Sequence, residues 1–167
     1  MSTERKATFF IGHDLRRLVN DPKALDPYIG PLPGNSWPEH ITIIPPIWEL
    51  ENEKPERLFE RLARTAATLN SFDVTPIGDA SFDGTTPVTL VDGAQALHYM
   101  LVGLLDTNGY TNAYVSREFI GPDYNGHTSH LDGVLPPRQP VHVDSISIFR
   151  NVKGKKFVDR RIKLREN

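Results

Sequence analysis

The chain contains no cysteine. That one absence excludes a disulfide framework, a thiolate nucleophile and cysteine-ligated zinc. Nor does any window approach the ~20 apolar residues of a membrane span. Ala7 to Gly12 is apolar, but it is too short for a signal-peptide core and lacks a cleavage motif. Charge of one sign is missing too: 19 Lys and Arg against 21 Asp and Glu leave a net charge of −2. No global field draws the chain to nucleic acid, so any contact with RNA must be local. Low-complexity segments and short-period repeats are lacking as well. The expectation is a cytoplasmic protein that does not engage membranes.

What is present amounts to one domain, expected to span 1–167. At 167 residues the chain can bury about two-thirds of its unfolded surface, enough for a core without metal or disulfide staples. A hydrophobic fraction of 38% and a charged fraction of 24% argue against disorder, a collagen-like repeat or a coiled coil. The six histidines then become the question.

The periodicities predict alternating short elements. Ala7 to Gly12 reads as a buried strand, followed by a helical turn over Asp14 to Val19. Five prolines and two glycines between Asn20 and Pro38 predict a long loop, with a turn of helix near Ala24 and Leu25. A long loop in a compact domain is often functional. His40 to Ile44 is a second strand, which Pro45 and Pro46 should end. Pro55 to Leu69 is the clearest helix, with Leu58, Phe59, Leu62, Ala66 and Leu69 on one face. Phe72 to Phe82, interrupted around Pro76 and Gly78, pairs with Val88 to Val91 as an antiparallel hairpin across Asp83-Gly84. A second helix covers Ala94 to Leu105, with Leu97, Leu101 and Leu104 or Leu105 inward, and closes at Asn108-Gly109. Val141 to Phe149 alternates as one strand, and Lys156 to Leu164 is a charged edge strand. The fold class is α+β with antiparallel pairing.

Two tripeptides carry the chemistry: His40-Ile41-Thr42 and His127-Thr128-Ser129. Residues i and i+2 of a strand face the same side, so each tripeptide offers one imidazole and one hydroxyl to a common cleft. Ile41 and Ile43 anchor the first strand from the other face. With a reference pKa near ~6.5, one imidazole can take a proton while the other gives one. The hydroxyls of Thr42 and Ser129 can donate to the non-bridging oxygens of a phosphate. Such a set needs neither metal nor cofactor.

The doubled His-x-Thr/Ser motif resembles that of the 2H phosphoesterases, which include RNA 2′-5′ ligases and 2′,3′-cyclic phosphodiesterases. Trp37-Pro-Glu-His-Ile-Thr-Ile43 is similar to the family's first motif, Ala96 to Leu101 to the helix before the second, and Phe119 to His127 to the approach to the second histidine. The family usually has proline before the second histidine and an aliphatic residue after the hydroxyl, where this chain has Gly126 and His130. The resemblance implies a bilobal fold, two antiparallel sheet lobes with helices outside and a central cleft. It also implies His40 and His127 as the acid–base pair and Thr42 and Ser129 as phosphate ligands. The reaction implied is opening of a 2′,3′-cyclic phosphate on an RNA terminus or a small nucleotide, or the reverse 2′-5′ ligation. In one assignment His127 protonates the leaving 3′ oxygen while His40 activates water; substrate orientation decides between this and the exchange of roles. A monomer is expected.

Weaker candidates surround this set. Phe10 and Tyr124 can stack on a nucleobase, and Arg117 and Arg138 can hold a phosphate. His130 is a reserve for the second histidine, in a register that puts Asp132 where a phosphate donor is wanted. His127, His130 and Asp132 also admit a metal-site reading. His98 reads as structural, His13 as a neighbour of the cleft and His142 as a residue of the last strands. Lys153 to Lys156, with Arg160 and Arg161, is a solvated face or an RNA patch. Two other functions stay open: a phosphodiesterase for a different cyclic nucleotide or nucleotide-derived signal, and a noncatalytic nucleotide- or RNA-binding module.

Overall fold

Among the described residues nine strands form one sheet, in the order β2-β9-β8-β1-β3-β6-β5-β4-β7, and each strand runs antiparallel to its neighbours.

The strands are β1 Ala7–Asp14, β2 Gly30–Pro31, β3 His40–Trp48, β4 Phe72–Phe82, β5 Thr86–Asp92, β6 His127–Ser129, β7 Val141–Val143, β8 Ser145–Val152 and β9 Lys155–Lys163. Two helices, α1 Pro55–Ala66 and α2 Gln95–Thr107, complete the regular structure together with short 3-10 turns. This computed structural model describes residues 7–15, 29–50, 54–82, 86–124, 126–129 and 139–166. Of the turn expected over Asp14 to Val19, Asp14 instead ends β1 and Leu15 has a 3-10 conformation; 16–19, the turn near Ala24 and Leu25, and the hairpin turn at Asp83-Gly84 lie outside the described residues.

Both helices cover one face of the sheet. Leu58, Phe59, Leu62 and Ala66 of α1, and Leu97, Leu101 and Leu105 of α2, are buried against Phe9, Ile11, Ile41, Ile43, Ile146 and Ile148. The rings of Phe9 and Phe59 meet edge-on at 5.1 Å. Each such Leu, Ile or Phe side chain contributes roughly 1.5–3 kcal/mol of burial. The opposite face carries a smaller apolar cluster of Phe10, Leu32, Phe149 and Val158, flanked by Trp37. At one end Arg150 forks onto Glu49 (2.9 and 2.7 Å) and reaches Asp159 (3.2 Å), tying β8 and β9 to the end of β3.

Two expectations need correction. β3 runs through Pro45 and Pro46 to Trp48. A proline lacks an N–H and is tolerated at a bulge or along an unpaired edge. The first condition holds here, since the pairing of β1 with β3 slips between Phe9 and Ile11; along the other edge Pro46 needs no N–H, because its carbonyl accepts from the N–H of Val115 at 3.0 Å. Val141 to Phe149 is two strands rather than one. The inward positions are Val141 and Val143 before Asp144, and Ile146 and Ile148 after it. That change of parity marks a break, because a continuous strand keeps one parity on one face. β7 pairs with β4 while β8 pairs with β1 and β9, so the chain changes partners there. The charged strand β9 is also partly covered, because β2 pairs with it over two residues.

Candidate active site

β3 and β6 are neighbours in the sheet, with Ile41 opposite Thr128. In an antiparallel ladder, opposed residues share a face. Ile41 and Thr128 are both buried. The same register sets Thr42 opposite His127 and His40 opposite Ser129, on the face away from the helices. Two motifs distant in sequence therefore occupy adjoining positions at the seam between the two halves of the sheet. Of Ser129 only the backbone is described.

β1 completes this surface. Asp14 pairs with His40 and Gly12 with Thr42. Gly12 is small for a reason: a Cβ there would lie 2.9 Å from the carbonyl oxygen of Ile41 and 3.3 Å from Cδ2 of His40. Its lack of a side chain makes room for the imidazole.

His40 is held by one hydrogen bond and an aromatic wall. Its Nδ1 lies 2.7 Å from the carbonyl oxygen of Pro38. A carbonyl can only accept, so Nδ1 carries the proton and Nε2 keeps its lone pair. The ring rests beside Phe10 (centroids 4.9 Å) and Phe149 (5.8 Å). Burial lowers its pKa first, and the positive charge His127 can carry lowers it further; the Pro38 carbonyl and Asp14 oppose these effects. His40 is therefore neutral near pH 7, the state of a base.

The remaining sequence candidates fall in three places. Phe10 is buried, stacked on Phe149 at 4.8 Å and edge-on to Trp37 at 4.8 Å, so its ring lines the wall of His40. Tyr124 is 7% exposed, its ring stacked on His98 at 4.0 Å and its hydroxyl donating to the Thr42 carbonyl at 2.7 Å. Arg117 is exposed in a 3-10 turn, near Asn112. His130, Asp132 and Arg138 lie outside the described residues. His13 is buried, with Nδ1 donating to the carbonyl of Ser145 at 2.8 Å, and His142 pairs with Asp73 at 2.7 Å away from the cleft. Lys156 places its ammonium 5.3 Å from the centre of the Trp37 ring.

Sequence reasoning missed Gly12, Asp14 and the Pro38 carbonyl. The alternation Phe10, Gly12, Asp14 along β1 was a signal for the first two, since these positions share the face of His40. Nothing local marked the third.

Solved structures similar to this chain include a phosphoesterase, at 15% identity and a TM-score of 0.56, over 95% of this chain and 98% of that one. E. coli LigT complexed with 3'-AMP is similar at 16% identity and a TM-score of 0.54, over 96% and 99%. TT0787 of Thermus thermophilus is similar at 17% and 0.57, also over 96% and 99%. No protein-family model and no curated protein sequence matches the chain. The mostly antiparallel sheet with two helices is the 2H phosphoesterase fold, as the doubled motif implied. No helix among the described residues is long and apolar enough to cross a membrane.

Proposed function

We propose that the chain is a 2H-type phosphodiesterase that opens 2′,3′-cyclic phosphates of nucleotides or RNA ends. The observation that carries this reading is the register of Ile41 with Thr128, which gathers His40, Thr42 and His127 at one seam. The phosphoesterase among the similar structures and the 3'-AMP held by LigT favour phosphate ester chemistry on a nucleotide.

Nε2 of neutral His40 takes a proton from water as the water oxygen bonds to phosphorus. The bond from phosphorus to the 3′ oxygen breaks, and His127 gives that oxygen a proton. The product is a 2′-phosphate with a free 3′ hydroxyl, and the two imidazoles have exchanged protonation states. With a 5′ hydroxyl in place of water as the attacking group, a step of this class in the same direction forms a 2′-5′ phosphodiester. Thr42 and Ser129 donate to the non-bridging oxygens, whose charge grows in the transition state. The Pro38 carbonyl serves by fixing which nitrogen of His40 faces the reaction.

Hydrolysis of a 2′,3′-cyclic nucleotide in the presence of a chelator tests the proposal. His40→Ala and His127→Ala should each lower kcat by about 10²–10⁴, the usual contribution of a positioned acid or base. Wild-type rates in both variants would end the paired-histidine reading. Nucleotide binding without turnover in the wild type would favour a binding module.

A further inference from the structure

His98 stands in α2 and is fully buried, yet both of its nitrogens are used, in opposite senses. Nδ1 lies 2.7 Å from the carbonyl oxygen of Ile43, which can only accept. Nε2 receives the backbone N–H of Gly121 at 3.0 Å, which can only donate. The ring is thereby fixed as the neutral tautomer with its proton on Nδ1. Its face stacks on Tyr124 at 4.0 Å and 10°. The Tyr124 hydroxyl, its pKa raised by burial, donates to the carbonyl of Thr42 at 2.7 Å. Beneath that hydroxyl Gly126 packs tightly: a Cβ there would stand 3.3 Å from it and 3.0 Å from the Val91 carbonyl. The next residue is His127.

We propose that His98 and Tyr124 form a clamp that sets the placement of the His127 segment relative to the His40–Thr42 strand, without touching substrate. This rests on the phosphodiesterase reading above. The clamp grips two successive carbonyls of β3, those of Thr42 and Ile43, and the amide of Gly121 in the segment leading to His127. Such a device is needed because, among the described residues, β6 spans three residues and bridges β3 at one position. Misplacement by about 1 Å between reacting groups costs up to ~100-fold in rate.

The tautomer also makes the clamp sensitive to acid. A proton added at Nε2 would set two donors against each other at Gly121 and release that segment. Burial lowers the His98 pKa, and the Ile43 carbonyl opposes this. The titratable groups at the ring are Tyr124 across its face and Tyr99 at 5.7 Å on its own helix. Among the described residues no carboxylate or cation contributes to the shift.

Tyr124→Phe and His98→Asn test the clamp. Asparagine can still donate to Ile43 but offers nothing at the position of Nε2. Each variant should lose about tenfold in kcat with KM within about twofold, and the double variant should lose no more than the worse single one. The ring ¹⁵N signals of His40 and His127 should move in both. His98→Gln, whose side-chain oxygen can accept from Gly121, should recover most of the rate. Leu105→Ala, buried on the same helix, should lower Tm yet leave kcat unchanged well below Tm, which separates positioning from general loosening. Wild-type kcat and unmoved His127 signals in both clamp variants would overturn the proposal, provided that His40→Ala and His127→Ala are inactive. If the wild type shows no hydrolysis, the phosphodiesterase reading fails, and the histidine signals alone decide whether the clamp exists.

Discussion

Replacing Gly12 with alanine sets two opposed effects against each other. Alanine in a strand interior is ordinarily the better residue by roughly 0.5–1 kcal/mol, because glycine loses more backbone freedom on folding. Here the added methyl would stand 2.9 Å from the Ile41 carbonyl oxygen, 3.3 Å from Cδ2 of His40 and 3.6 Å from Cε2 of Phe149. The first contact cannot yield cheaply, since Ile41 is held by β1 on one side and β6 on the other. Overpacking of this kind costs about 1–3 kcal/mol. The net expectation is a loss of about 1–2 kcal/mol, or a fall in Tm of roughly 2–8 °C for a chain of this size. The second contact pushes on the imidazole itself, so kcat should fall by about tenfold or more. Urea denaturation and cyclic-phosphate hydrolysis measure the two quantities on one sample. A variant that is more stable than wild type and fully active would refute the claim that Gly12 makes room for His40.

Protonation and buried polar groups give three more tests. Folding should weaken as pH falls below about 6.5, because His13, His40 and His98 all have lowered pKa values from burial and take up protons only on unfolding. His142, raised by its hydrogen bond to Asp73, works in the opposite direction, so unfolding below about pH 6.5 should absorb protons on balance, measured by the pH dependence of urea midpoints; midpoints that rise as pH falls would refute this. Thr128→Val should stabilise by about 1 kcal/mol, since the Thr128 hydroxyl is buried without a partner among the described residues; a loss of stability would reveal a partner. Arg150→Ala should cost about 3 kcal/mol, because it strands Glu49 at a side-chain exposure of 10% and leaves Asp159 the longer contact to Arg160 at 3.7 Å; a change under about 0.5 kcal/mol would show the cluster to be energetically idle.

Local elements were more legible than the topology. Helix periodicity in α1 and α2 and the alternation around His40 are local signals, and both were readable without coordinates. The two prolines misled because their cost depends on whether a neighbour needs the missing N–H, and pairing partners are not local. The break at Asp144 was written in the sequence as a change of inward parity, from Val141 and Val143 to Ile146 and Ile148, but one rhythm of alternation hid it. Among the site residues, the His-x-hydroxyl spacing identified candidates by chemistry alone. Their juxtaposition depends on the register of β3 with β6, a long-range fact. His98 and Tyr124 show the same limit: their partners are backbone atoms of Ile43, Thr42 and Gly121, which no side-chain motif announces.

Nε2 of His40 as the base stands at the centre of the proposed mechanism. His40→Asn tests it most directly, because the asparagine amide can still donate to the Pro38 carbonyl while nothing remains at the position of Nε2. The expected result is a folded protein with Tm near that of wild type, retained nucleotide binding, and a kcat for 2′,3′-cyclic phosphate opening lowered by about 10²–10⁴. An His40→Asn variant that turns over at the wild-type rate would contradict the assignment.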